Sequence, residues 1–470
     1  MRAFPNFYKP NSVYAMYPFV NPQENKKIQD DLGHGDLYDY SVPKLAAPLL
    51  PVLSHKAVVQ ILDDQARFKV PWGIHTYALM KHDYMLSGDK PSNAVQREFV
   101  KKQLYCPHNS LDDIRQFYEN MTASMLRDRS YKLRGYYQVD AVRDIGNASH
   151  AHFTASMFHI PLKTADHPIG LFTEQELYLI LAVTFAYVFL DNDPATSFAL
   201  KNGAEAAIKP LSTALEEVVR IVQSVKFIEP IKNIFNMHDT GLVRDYGTHL
   251  INRLSDGGKS VDEVVWTIIP TAAASVATMG QGFGQMLDLY LSDKYKHHWA
   301  GISEAARSDS PEAFEKLRKY ALEGYRLATP SFGLVRIAAE DNIAIQDGKR
   351  ILNFNKGDTV FTNFVSACMD PTVFPDPEEV KLDRPEELYI HHGHGPHSCL
   401  GRPIVTTAMA AQLKVFGRLK NIRRASGLQG ELKHKVVNGA FKVYMNEDWS
   451  SWWFFPSTLK VHFDGFEDGF

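Results

Sequence analysis

The densest chemistry in the chain is the run HGHGPHSCLGRP, from His392 to Pro403. Gly393 and Gly395 precede Cys399, Gly401 follows it, and a helix-compatible stretch, IVTTAMAAQLKVFGRLKNI, comes next. Glycines let a backbone turn tightly and approach a flat ligand. A cysteine just ahead of a helix is helped to ionise by the free amides and dipole there. The same amides can donate to the sulfur and tune it. The pattern therefore suits a metal-bound thiolate. Two other readings stay open. One is a buried structural cysteine in a Gly-rich turn. The other is a zinc site drawn from His391, His392, His394, His397 and Cys399, whose spacing lacks the usual paired Cys-x-x-Cys or His-x-x-x-His.

Two further clusters carry chemistry. Glu323 and Arg326 stand three residues apart in YALEGYRLATP, which puts them on one helix face where they can pair. In TAAASVATMGQGFGQ, from Thr271 to Gln285, helical spacing sets Ala274, Thr278, Gln281 and Gln285 along one stripe. The Thr278 hydroxyl has two readings: it delivers protons through water, or it bonds the carbonyl one turn back.

These residues need a helical frame. Ser54, Ser110 and Thr173 each precede a helical pattern as capping residues, with Asp113 and Glu176 at capping-box spacing. The stretch from Ser260 to Leu291 is long and weakly polar, and reads as a central buried helix. Strand-like pieces are short and late: GLVRIAAE, ILNF, DTVFTNF and FKVYM. The expectation is a mainly α chain with small β-sheets, one domain over residues 1–470.

Composition sets limits. The chain has 470 residues, 45% hydrophobic and 22% charged, enough to enclose a buried cofactor. A net charge of -3 gives no case for nucleic acid. Three cysteines are too few, and odd in number, for a disulfide framework, so a reducing, cytoplasmic setting is expected. The sequons at Asn120 and Asn147 then read as chance matches. The most apolar run, Leu177 to Leu190, is shorter than the roughly 20 residues that span a bilayer. The start, MRAFPNFYKP, lacks the apolar core of a signal or anchor, so no membrane anchor is expected.

Together these motifs resemble the cytochrome P-450 superfamily. The family's thiolate loop, Phe-Gly-x-Gly-x-Arg/His-x-Cys-x-Gly, is met at Gly393, Gly395, His397, Cys399 and Gly401, with His392 in place of Phe. Glu323 and Arg326 match its buried Glu-x-x-Arg, and Arg384 lies where the third member of that cluster falls. The resemblance implies heme b (iron protoporphyrin IX) on Cys399, with a long central helix over it. A cysteinate on heme iron favours O–O cleavage. Arg97, in NAVQR at the place of the family's Trp/His-x-x-x-Arg, and His397 are the implied propionate partners.

VPWG, MLSGD, FTEQELYLILAV and NEDWSSWWFFPSTLKVHF extend the likeness over nearly the whole chain. They resemble the heme-thiolate (hydroperoxide isomerase) half of fungal linoleate diol synthases and psi-factor-producing oxygenases, and the initiating Met1 favours a stand-alone member. That implies rearrangement of a lipid hydroperoxide, or a reaction on another small apolar metabolite, without a reductase. Thr278 departs from the Asn expected there, while Gln281 and Gln285 match. A reductase-dependent monooxygenase of fungal secondary metabolism, with a redox partner, therefore remains a second reading. A non-redox pocket used for binding or acid–base chemistry is a third. Trp72, Ala274, Phe332, Leu334 and Trp453 are the expected substrate-pocket residues.

Overall fold

The computed structural model describes residues 50–106, 110–165, 167–191, 194–225, 243, 245–437, 441–467 and 470. The N-terminal ten residues read above lie outside them. Helices dominate, as expected, and the strands are short. Leu50–Val52 runs parallel to Thr359–Asn363. The latter pairs antiparallel with Gly333–Ala338, which pairs with Phe68–Lys69. A second sheet joins Arg423–Arg424, Lys460–Phe463, Tyr137–Asp140 and Tyr131–Lys132, and a third joins His434–Val437, Phe441–Met445 and Trp452–Trp453.

The central helix, Val261–Tyr290, organises the larger apolar core. Its start is a capping box: the Glu263 amide donates to Ser260 Oγ at 3.3 Å and the Ser260 amide to Glu263 Oε2 at 2.9 Å. The helices Glu174–Leu190, Ala148–Phe158 and Pro311–Ala328, with the π-turn Ala141–Asn147, pack around it. Pro270, inside the helix, leaves the Trp266 carbonyl without its usual amide. Further on, Gly280, Gly282 and Gly284 accept close neighbours. A Cβ would overlap Asn147 Oδ1 at the first and Tyr325 Oη at the second, and lie 2.8 Å from Val142 Cγ2 at the third.

The apolar run expected to be a buried helix is Glu174–Leu190, opened by a Thr173–Glu176 capping box. Among the described residues no helix is long and apolar enough to cross a membrane. One capping expectation changes. Ser54 holds the N-cap position of His55–Asp63, but its side chain makes no cap bond. The Asp347 carboxylate accepts the Ser54 amide at 2.7 Å instead. Ser110 opens Ser110–Arg129 beside residues 107–109, which lie outside the described ones, and the Asp113 carboxylate takes the Tyr246 hydroxyl at 2.5 Å.

A smaller core joins His55–Asp63 to the first sheet through Val58, Ile61, Phe68, Val360 and Ile390. Ile390 sits two residues before His392, so this cluster anchors the loop that carries Cys399.

Candidate active site around Cys399

The Cys399 loop is held by its own backbone. The Gly393 amide donates to Ile390 O at 2.8 Å, and the Cys399 amide to His392 O at 2.8 Å. Gly395, at φ 67°, is where the loop grazes His55–Asp63, and a Cβ there would meet Asp63 Oδ1 at 2.5 Å and Leu62 O at 2.9 Å. The helix Arg402–Phe416 then starts at Gly401. A Cβ on Gly401 would lie 3.7 Å from Cys399 Sγ, so glycine keeps that flank of the sulfur clear.

Cys399 has accessible surface where it borders a cavity of about 740 Å³ and is otherwise enclosed by protein. Burial pushes its thiol up, against the Gly401 amide and the Arg97 charge, which pull it down. This qualifies the expectation that the helix start alone would ionise it: at this depth desolvation wins. A thiolate here needs a bonded cation, which a heme iron supplies. The other two cysteines differ. Cys106 is exposed, and Cys368 is buried with its thiol pushed up to about 12.

The structure brings Arg97 to the loop. Its guanidinium donates to the Ser398 carbonyl, and to Ser398 Oγ at 3.2 Å, while Nε is buried without a protein partner. His397 borders the cavity, and its Nε2 lies 2.7 Å from Asp89 Oδ1. Both side chains are buried, and the other ring nitrogen of His397 has no protein partner. These orphaned polar atoms beside a thiolate match the needs of an anionic, iron-bearing ring. Asn93 takes another task. Its amide ties the start of Pro91–Leu104 to Asp83 Oδ1 and Tyr84 O, each at 3.0 Å.

The zinc reading fails on placement. Among the described residues no three His, Cys, Asp or Glu side chains converge on a metal position. His394 pairs outward with Asp63 at 3.3 Å. His391 is buried and His392 half-buried against Tyr325, each with its ring centroid 5.6 Å from that ring. Burial holds both neutral, His392 down to about 3.

Glu323 and Arg326 are fully buried, joined at 2.7 and 2.9 Å. Arg384 reaches Glu323 Oε2 at 3.4 Å. Arg326 also donates to the Pro377 and Glu379 carbonyls at 2.6 and 3.0 Å. The cluster pins the 370–384 segment beneath the Cys399 loop and stands apart from the cavity.

On the central helix, Ala274, Thr278 and Gln281 border the cavity. The Thr278 hydroxyl donates to Ala274 O at 2.6 Å, the bond one turn back weighed above. Gln281 Nε2 donates to Pro330 O at 3.0 Å. Gln285 does not reach the cavity wall: its amide donates to the Tyr444 hydroxyl behind it. Eleven residues bring the helix back to nearly the same face but carry Gln285 roughly 16 Å along the axis from Ala274, past the cavity. Trp72, Phe332 and Leu334 line the cavity, and Trp453 does not. Its strand pairs with Tyr444 and Met445, and Phe455 borders the cavity instead.

Sequence reasoning missed several lining groups. Tyr84, with its hydroxyl 3.0 Å from Thr271 Oγ1, is one. His75 and Asp191, paired at 3.0 Å, and Lys356 are others. Sequence reasoning also misses Asp89, in MLSGD, because a buried acid opposite His397 has no local signature in the sequence.

Residues 317–416 match the family model Cytochrome P-450. Psi-producing oxygenase A of Aspergillus fumigatus is 42% identical over 99% of this chain and 43% of its own length. A bifunctional dioxygenase–epoxy alcohol synthase of Fusarium oxysporum is 41% identical over 99% of this chain and 36% of its own. Linoleate diol synthase of Gaeumannomyces graminis is 31% identical, with 99% and 48% covered. The chain spans less than half the length of each. Among solved structures, a mutant of P-450 EryK with erythromycin B superposes at a TM-score of 0.62 with 17% identity, over 95% of this chain and 98% of that one. Its likeness concerns the fold. With the thiolate loop, the buried Glu323–Arg326 pair and these relatives in agreement, the chain belongs to the cytochrome P-450 family of heme-thiolate oxidoreductases.

Proposed function

We propose that this chain binds heme b on Cys399 and isomerises a lipid hydroperoxide without a reductase. Heme b, when bound, supplies an iron whose thiolate ligand promotes O–O cleavage. Cys399 is the ligand. Arg97 and His397 are the partners of the propionates, and Gly393 and Gly401 keep backbone and sulfur open to the ring. Glu323, Arg326 and Arg384 hold the surrounding scaffold. Isomerisation conserves every atom: the O–O bond breaks, and the released oxygen returns to the carbon chain as a hydroxyl or epoxide. No external electrons are consumed.

The observation that carries this reading is the distal wall. Thr278 spends its proton on Ala274 O, and the residue before it is Ala277. Asp191 is the sole carboxylate among the described cavity-lining residues, and it is tied to His75. Activation of O2 needs protons delivered to the reacting oxygen, and this wall is poorly built to deliver them. A hydroperoxide arrives already reduced. The names of the relatives, a diol synthase and an epoxy alcohol synthase among them, support the same class. Thr278 and Gln281 then shape the wall over the reacting carbons, with Trp72, Ala274, Phe332 and Leu334 holding the chain.

The test is direct. Heme-loaded protein is mixed with a linoleic acid hydroperoxide, with neither NADPH nor reductase, and products are followed. Conversion to a diol, ketol or epoxy alcohol is expected. Turnover that appears only when reductase and NADPH are added overturns the proposal in favour of a monooxygenase.

A further inference from the structure

The cavity has a direction. The strand Gly333–Ala338 forms part of its wall, with Gly333, Leu334, Val335 and Ile337 all bordering it. At the inner end Leu334 lies against the Cys399 loop, where a Cβ on Gly393 would sit 3.8 Å from Leu334 Cδ1. At the outer end the Gly357 amide donates to Ala338 O at 2.8 Å, which fixes the turn that carries Lys356. Four strand steps at about 3.3 Å separate the two ends, roughly 13 Å. Lys356 is exposed and also borders the cavity, so it stands at the mouth.

The charges along this path are unequal. His75 is paired with Asp191, and His397 with Asp89. His391 and His392 are held neutral by desolvation. Lys356 is the cavity-lining lysine or arginine among the described residues, and its ammonium has no ion-pair partner among them. Two acids at this turn are engaged by its backbone: Asp341 accepts the Lys356 amide at 3.0 Å, and Asp358 accepts the Asn355 amide at 2.7 Å. On the helical side of the cavity, Asp191 presents a buried Oδ1 that has no protein donor. A carboxylate headgroup would meet like charge there and a cation at Lys356.

We propose that Lys356 anchors the carboxylate of a long-chain fatty acid at the cavity mouth, so that the chain enters methyl end first along the Gly333–Ala338 strand. This rests on the lipid reading above and names its substrate as the free acid rather than an ester. With carbon–carbon bonds of about 1.5 Å, an extended chain advances roughly 1.3 Å per carbon. The path of roughly 13 Å then sets the reacting carbons about ten from the carboxyl.

The test is calorimetric titration of the heme-loaded protein with oleate and with methyl oleate, which carry no hydroperoxide. Wild type is expected to bind oleate about three- to fivefold more tightly than the ester, the scale of an exposed ion pair. Lys356→Ala should erase that difference, Lys356→Arg should keep it, and Lys356→Glu should invert it. As a turn residue at the surface, Lys356 tolerates all three substitutions. An oleate preference that survives Lys356→Ala overturns the proposal, as does failure of both ligands to bind. Hydroperoxide turnover is scored separately. A preference that closes with Lys356→Ala in a protein inert toward hydroperoxides would uphold the anchor while removing the isomerase reading.

Discussion

Replacing Glu323 by Gln tests whether the buried charge cluster supports the Cys399 loop. Glu323 Oε1 accepts from Arg326 Nε at 2.7 Å and from the Tyr389 hydroxyl at 2.8 Å. Oε2 accepts from Arg326 Nη2 at 2.9 Å, the Lys381 amide at 2.9 Å and Arg384 Nε at 3.4 Å. A carboxamide has one acceptor oxygen, so its NH2 must face at least one of these donors. The less harmful orientation turns NH2 toward Tyr389, whose hydroxyl can accept, but it still opposes Arg326 Nε. Arg326, with no exposed side-chain surface, then keeps its charge without a counter-ion. Breaking a buried pair from one side costs about 3–5 kcal/mol. Urea unfolding followed by near-UV circular dichroism should show that loss at unchanged m, and the thiolate-heme spectrum should vanish at lower urea. Arg326→Gln should cost a similar amount. The double variant should cost about 2 kcal/mol less than the sum, because neither charge is then stranded. A single-variant loss under about 1 kcal/mol, or strict additivity, would refute the reasoning.

Three other outcomes are expected. Cys399→Ser should abolish the red-shifted absorption of the reduced, carbon monoxide-bound protein, and a retained band would remove Cys399 as the ligand. His150, bonded to the Tyr118 hydroxyl at 2.9 Å, is held down to about 3 by burial. The unfolded chain takes up that proton near 6.5, so this group's contribution is complete above about pH 6.5. It falls by about 1.4 kcal/mol per unit toward pH 3. His150→Asn should flatten the pH dependence of the urea midpoint by one proton over that window, and an unchanged slope would contradict the assignment. Gly282→Ala should cost about 1–3 kcal/mol by overpacking against Tyr325 Oη. Adding Tyr325→Phe should recover part of it in the same unfolding assay, and no recovery would place the clash elsewhere.

Where a role depended on local chemistry, the residues announced it. Gly393, Cys399 and Gly401 form a contiguous turn, and Glu323 with Arg326 needs only one helical turn. The capping box at Thr173 is equally local and forms, whereas the Ser54 side chain makes no cap bond and its amide goes to Asp347, far away in sequence. The misses share a cause in long-range packing. Gln285 sits on the expected stripe, yet it lies farther along the helix axis than the cavity and meets Tyr444, a partner 159 residues away in sequence. Trp453 looked like a cavity aromatic, but strand pairing commits it to the third sheet. Lys356 gave no signal, because a lysine in a turn is ordinary until a cavity opens beside it. Asp89 was invisible for the same reason: nothing near it in sequence names His397 as its partner.

The two halves of the central helix are fastened differently. From Gly280 onward, Asn147, Tyr325 and Val142 press directly on its backbone, leaving it no slack in either direction. Before Ala274, Pro270 has removed a rung of the hydrogen-bond ladder, and the contacts there are made by buried side chains such as Val265, Ile268 and Ile269. The wall at Thr278 and Gln281 thus leads directly into the stretch where contact with the backbone itself, rather than side-chain packing, fixes where the helix can lie.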